Sequence, residues 1–201
     1  MTSLAQQESF LQPQSSAPVP LGASRKKIDD VAGSIALRGG YTPGSDLKSW
    51  VKDHLHGSVE TSSAESDTRY GYLTVPGKCD KTGTESKLDI TLSPFTGEFD
   101  DRFTIAHELG HYFLHCIAQG RDGLTVHREG NDRAETEANW FAEGFLMPKE
   151  NFVEAWNELG GSIPALIHRF KVAADVISLR HKTLIDFDPL NHGFRYPGKW
   201  A

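Results

Sequence analysis

At 201 residues the chain has room for one domain with a sizeable core and is short for two. With 38% hydrophobic and 24% charged residues it has the composition of a soluble globular protein, and a net charge of −6 gives no general electrostatic reason to bind nucleic acid or an anionic membrane. No apolar run approaches a membrane span, the first residues lack the basic and apolar regions of a secretory signal, and two cysteines make no disulfide framework.

A cytoplasmic location is therefore expected. Residues 1–24, rich in Gln, Ser and Pro with Glu8 as their single charge, read as a disordered or weakly ordered tail. The domain proper is expected over residues 25–201. "KKIDDVAGSIALRGG" places Ile28, Val31, Ile35 and Ala32 or Ala36 on one helical face and stops at a glycine pair. "DLKSWVKDHLHG" repeats the design with Leu47, Trp50, Val51 and Leu55, Asp46 as N-cap and Gly57 as terminator. "RYGYLTVPG" and "KLDITLSP" alternate with a period of two, most clearly at Leu88, Ile90 and Leu92, and read as an antiparallel pair around an exposed loop. A helix capped by Asp100 or Asp101 is predicted through "RFTIAHELGHYFLHCI", with Cys116 as a small buried hydrophobe. Beyond it "DRAETEANWFAEGFLMP" reads as a helix ended by Pro148, then "KENFVEAWNELGG", then one or two helices in "SIPALIHRFKVAADVISLRHKTL". The end of the chain, from about 186, has too much Pro and Gly for a helix. The fold class expected is α+β: a mostly helical single domain with a small antiparallel sheet.

The chemistry concentrates in "HELGH". His107 and His111, four residues apart, project from one helix face within reach of a single ion. Glu108 points about 100° around the helix, where it reaches a metal-bound water rather than the metal. Two imidazoles holding zinc and a carboxylate deprotonating water is the physical content of H-E-x-x-H. His115 lies about 12 Å from His107 along the axis, too far to share the ion, and reads as a helix-end cation, an outer donor or a partner for a terminal carbonyl. Leu114 and Ile117 stand where a metzincin would need Gly and His. Gly110, costing about 1 kcal/mol inside a helix relative to Ala, implies close approach of a neighbouring element.

A third ligand is sought in "RAETEANWFAEGFLMP", where Ala134, Ala138, Phe141, Ala142 and Phe145 form a packing face flanked by Glu135 and Glu137. Glu135 is preferred, because Asn139 one turn later could orient a ligating imidazole; Glu137 is the alternative ligand.

Together, "RFTIAHELGHYFLH" and "ETEANWFAEGFLMP" resemble the ImmA/IrrE family of metallopeptidases. The resemblance runs from near Ile28 to about Arg180 and implies a zincin-like fold, with the sheet packed against the H-E-x-x-H helix. It further implies one Zn2+ per chain held by His107, His111 and Glu135, the last as the acid of E-x-x-A-N, with Glu108 as general base. Members are typically intracellular zinc endopeptidases, often made beside a helix-turn-helix repressor that they cleave to induce a stress response or mobile element. The chain departs from the family in "FLMP" and in the polar loop "AQGRDGLTVHREGND".

The function expected is cleavage of a protein substrate, a helix-turn-helix repressor or similar regulator, with no direct nucleic-acid or membrane binding. Two other readings exist: a metal-dependent binding or sensor module acting by partner contact, and an H-E-x-x-H that is structural only. "KLDITLSP" is the expected edge strand for substrate. For the oxyanion donor, Tyr70, Tyr72, Tyr112, His127 and Arg128 are conceivable, and nothing in the sequence chooses among them.

Overall fold

A computed structural model describes residues 17–63, 72–78, 88–126 and 132–187. Helix α1 (Arg25–Arg38) begins where Ser24 accepts a hydrogen bond from the Lys27 amide, and it buries Ile28, Ala32 and Ala36. Helix α2 (Leu47–Leu55) begins as predicted, with the Asp46 carboxylate accepting from the amides of Lys48 and Ser49. Its end differs. His56, at φ 50°, takes the left-handed position, and Gly57 serves another purpose: a Cβ there would lie 2.6 Å from the Leu88 carbonyl oxygen. The glycine lets the chain leave α2 directly against the sheet.

That sheet has four strands, β1 (Ser58–Thr61), β2 (Tyr72–Lys78), β3 (Asp89–Leu92) and β4 (Asp122–Val126), in the order β1-β3-β2-β4. The β2–β3 pair is antiparallel, with Leu73 opposite Ile90. β1 runs parallel to β3, so the sheet is mixed rather than purely antiparallel. β1 and β4, four and five residues long, were too short for alternation to announce them. Leu73, Val75, Leu88, Ile90, Leu92, Leu124 and Val126 are buried in the same cluster as Ile105 and Leu109 of the next helix. "KLDITLSP" is thus no edge for substrate: β3 has a neighbour on both sides, and β1 and β4 are the edges among the described residues.

Helix α3 (Glu98–Gly110) starts earlier than predicted, on Gly97 and without a side-chain cap. Asp100 and Asp101 lie inside its first turn, where their charge favours the N-terminal dipole. The helix continues into a π-helical segment, His111–Ile117. Helix α4 (Asp132–Leu146) follows β4, and then α5 (Lys149–Glu158), α6 (Ile163–Phe170) and α7 (Ala174–Phe187). The core helix is α4, which packs on α1 and on α3.

Two buried ion pairs that the apolar pattern did not reveal tie α1, α4 and α7. Asp29 pairs with Arg180, whose Nε also donates to the Met147 carbonyl at 2.9 Å. Arg25 pairs with Glu143 at 2.7 Å and also donates to Thr183. Cys116 is fully buried, as its reading as a small buried hydrophobe requires, and it also forms a disulfide that the sequence did not announce. Among the described residues no helix is long and apolar enough to cross a membrane.

Residues 17–24, placed in the tail by composition, lie against the domain. The carbonyls of Ala17, Val19 and Ala23 accept hydrogen bonds from Arg121, Gln119 and Arg133 at 2.6–2.8 Å. Pro18 is buried and Pro20 and Ala23 are half-buried, while Leu21 is 40% exposed, so a small apolar contact and hydrogen bonds to the main chain together hold the segment. Residues 1–16 and the chain end from 188 lie outside the described residues, as does the loop expected between β2 and β3.

Candidate metal centre

The centre is built where α3 and α4 touch. A Cβ on Gly110 would lie 2.9 Å from the Ala138 Cα, 3.0 Å from its carbonyl oxygen and 3.1 Å from the Phe141 Cβ. Absence of that atom lets the backbones approach closely enough for side chains of both helices to share one point. His107 and His111 come from α3 and its π-helical continuation, Glu135 from the first turns of α4.

Three donors converge there. The Nε2 atoms of His107 and His111 are 3.1 Å apart. His107 Nε2 lies 3.2 Å from one Glu135 oxygen and His111 Nε2 lies 3.3 Å from the other. A tetrahedral ion with bonds of about 2.1 Å has ligand–ligand edges of about 3.4 Å, and one donor atom from each of the three residues lies within 4.8 Å of the other two, a group that could hold a metal ion. Both imidazoles are buried and Glu135 is half-buried.

Hydrogen bonding sets which ring nitrogen faces the centre. His107 Nδ1 is 2.8 Å from Asn139 Oδ1, an oxygen that can only accept, so the proton sits on Nδ1 and Nε2 keeps its lone pair. Burial depresses the His111 pKa to about 4, leaving it neutral. Burial alone would raise the Glu135 carboxyl, but with no ion at the centre a proton shared with the facing imidazole nitrogens outweighs it and holds the group well below the usual carboxylate range. Two neutral nitrogens and one carboxylate aimed at a common point form a donor set that fits a divalent ion. The same set without a cation or proton between them is repulsive.

Glu108 is fully buried one residue beyond His107. Glu137, the alternative ligand, points elsewhere: its carboxylate meets His115, Arg133 and the amides of Leu21 and Gly22. His115 is buried and pairs with His111 Nδ1 at 3.0 Å and Glu137 at 3.2 Å, so both its ring nitrogens meet side chains rather than a terminal carbonyl. Its pairing with Glu137 was not legible in sequence; the only signal was the stripe of histidines at 107, 111 and 115. Among the conceivable oxyanion donors, Tyr112 is 2% exposed and packs edge-on against Phe113, while Tyr72 is half-buried on β2. Tyr70, His127 and Arg128 lie outside the described residues.

A helix bearing H-E-x-x-H, a glutamate supplied by the next helix and a small sheet beside them are the parts of a metal-dependent peptidase domain. Residues 61–182 match the sequence model of Peptidase_M78, described as the IrrE N-terminal-like domain; the match spans more than half of the chain, and the protein belongs to this family. No curated protein sequence matches the chain. Among solved structures, a Mycobacterium tuberculosis transcriptional regulator is similar in fold, with a TM-score of 0.52 at 20% identity. The similarity covers 77% of this chain but 46% of that one, so the chain spans less than half the length of the regulator.

Proposed function

We propose that the protein is a zinc-dependent endopeptidase acting on a protein substrate, a helix-turn-helix repressor or similar regulator. The observation that carries this reading is the convergence of His107, His111 and Glu135 at 3.1–3.3 Å, with the buried Glu108 adjacent in the helix. Those three side chains would hold the ion. When bound, zinc supplies a Lewis acid that acidifies water and polarises a carbonyl. Glu108 accepts the proton of the attacking water and delivers it to the leaving amine. Asn139 holds His107 in the tautomer that offers Nε2.

A binding or sensor module would have use for the ligands but none for a general base at Glu108. A cavity of about 460 Å³ lined by Phe99, Phe103, Val176 and Leu179 reaches Asn139, the partner of His107, without touching Glu108 or the three candidate ligands themselves. An extended substrate would add to β4, the edge strand that packs against the π-helical segment. Similarity to a longer transcriptional regulator supports a regulatory setting. A cytoplasmic location belongs to the proposal, although the Cys116 disulfide is uncommon in a reducing compartment, and cell fractionation decides it.

The test is incubation of the full chain with the regulator encoded beside it, read by mass spectrometry. The zinc-loaded protein is expected to make a discrete cut that a chelator suppresses. Glu108→Gln is expected to bind zinc equally and cut nothing. Cleavage by that variant at the normal rate would refute the reading.

A further inference from the structure

One histidine of the 107–111–115 stripe and one glutamate of "ETEAN" are left over by the metal centre, yet both are completely buried. We propose that His115 and Glu137 are positioning residues that act on the metal centre through His111, and that the backbone of residues 21–22 is the anchor that holds Glu137 in place. The inference rests on His107, His111 and Glu135 being the metal site.

The relay starts at Glu137. One of its oxygens accepts from the Leu21 amide at 2.7 Å; the other accepts from the Gly22 amide at 2.9 Å and from Arg133 Nε at 3.0 Å. All three partners are donors with no capacity to accept, so both oxygens of the carboxylate are held as acceptors. The ring nitrogen facing it, His115 Nε2 at 3.2 Å, therefore carries a proton and donates. A neutral imidazole protonated at Nε2 has its lone pair on Nδ1. That lone pair faces His111 Nδ1 at 3.0 Å, so His111 donates from Nδ1 and keeps its own lone pair on Nε2. The Nε2 atom is the one aimed at Glu135 and His107.

The two ligating imidazoles thus receive the same tautomer from different devices. His107 takes it from a single amide, Asn139. His111 takes it from a relay two side chains long, grounded in a segment 115–116 residues from Glu137 in sequence. The π-helical turn is what makes the relay possible. Its widened turn sets the rings of His111 and His115 with centroids 5.0 Å apart and their Nδ1 atoms in contact.

Nothing in the anchor depends on side-chain identity at Leu21, which is exposed; the contacts are main-chain amides, and Gly22 sits at φ 72°, where a side chain would be strained. Three further contacts clasp the same segment: Gln119 to Val19, Arg121 to Ala17, and Arg133, already on Glu137, to Ala23. The N-terminal segment is in this way part of the metal centre's support, and loosening it would loosen His111.

The test uses the full chain and two readouts that do not involve cleavage. Zinc affinity is measured by competition with a chromophoric chelator. Imidazole 15N NMR of the zinc-free protein reads the tautomers directly. The wild type is expected to show the Nδ1–H form of His111 and the Nε2–H form of His115. Glu137→Gln and His115→Phe are each expected to weaken zinc binding about 10–100-fold and to mix the His111 tautomers. Leu21→Pro, which deletes one anchoring amide at an exposed position, is expected to act in the same direction to a smaller extent. Should His115→Phe not fold, the other two variants carry the test. Wild-type-like zinc affinity in Glu137→Gln and Leu21→Pro would overturn the inference, as would His115 protonated on Nδ1, or variants that only melt earlier while His111 stays unchanged. A wild type that binds no zinc would instead refute the metal reading, and the tautomers would still decide the relay.

Discussion

Alanine at Gly110 and alanine at Gly33 are expected to change stability in opposite directions, although both glycines are inside helices. Helix propensity alone favours the alanine at each by about 1 kcal/mol. At Gly33 in α1 the new Cβ would find only the Pro148 Cβ at 3.9 Å, an ordinary contact, so most of that gain should be realised. At Gly110 the Cβ would meet the Ala138 Cα at 2.9 Å and its carbonyl oxygen at 3.0 Å. Both are backbone atoms of α4, so relief requires moving the helix rather than turning a rotamer. Overpacking of this kind costs about 1–3 kcal/mol. Set against about 1 kcal/mol of propensity, the net is a loss of up to about 2 kcal/mol, or a fall in Tm of several degrees for a chain of this size. Because α4 also carries Glu135, the same displacement should weaken zinc binding. Thermal and urea denaturation of the two variants, followed by circular dichroism, checks the first expectation, and chelator competition the second. If Gly110→Ala melts at or above the wild-type temperature with zinc affinity intact, the claim that this glycine sets the helix spacing is wrong.

Removing the acid of the buried Asp29–Arg180 pair by Asp29→Ala leaves a guanidinium 1% exposed without its main counter-ion; a loss of about 3 kcal/mol is expected in urea unfolding, and a loss under about 1 kcal/mol would contradict it. Glu135→Ala is expected to abolish measurable zinc binding in the competition assay, whereas Glu137→Gln should retain a weakened but measurable affinity, which separates the two carboxylates that the sequence left open. His181, stacked on Trp156 with ring centroids 3.8 Å apart, has its pKa lowered by burial from 6.5. Its neutral form is favoured by folding, so its contribution is present above pH 6.5 and is lost as pH falls through the lowered folded value. His181→Phe should therefore flatten the fall in stability on acidification below pH 6.5, and an unchanged slope in pH-dependent melting would refute this.

The helices were legible because apolar spacing and caps are local: Ile28, Ala32 and Ala36 are buried as their spacing requires, and Asp46 caps α2. The pair His107–His111 was legible for the same reason, since four residues on a helix determine a common face wherever the helix is placed. Glu135 was half legible. Its sequence position bordered the packing face of α4, but so did that of Glu137, and only the docking of α4 on α3 across Gly110 turned one toward the imidazoles and the other toward His115. The parallel β1, the interior place of β3 and the docking of residues 17–24 had no local signature, because each depends on hydrogen bonds between segments distant in sequence. By itself, then, the sequence determined which helix carries H-E-x-x-H and the common face from which His107 and His111 project. Tertiary packing decided which carboxylate meets those imidazoles and which side chains face their other ring nitrogens, because those are properties of the contact between helices and not of any one helix.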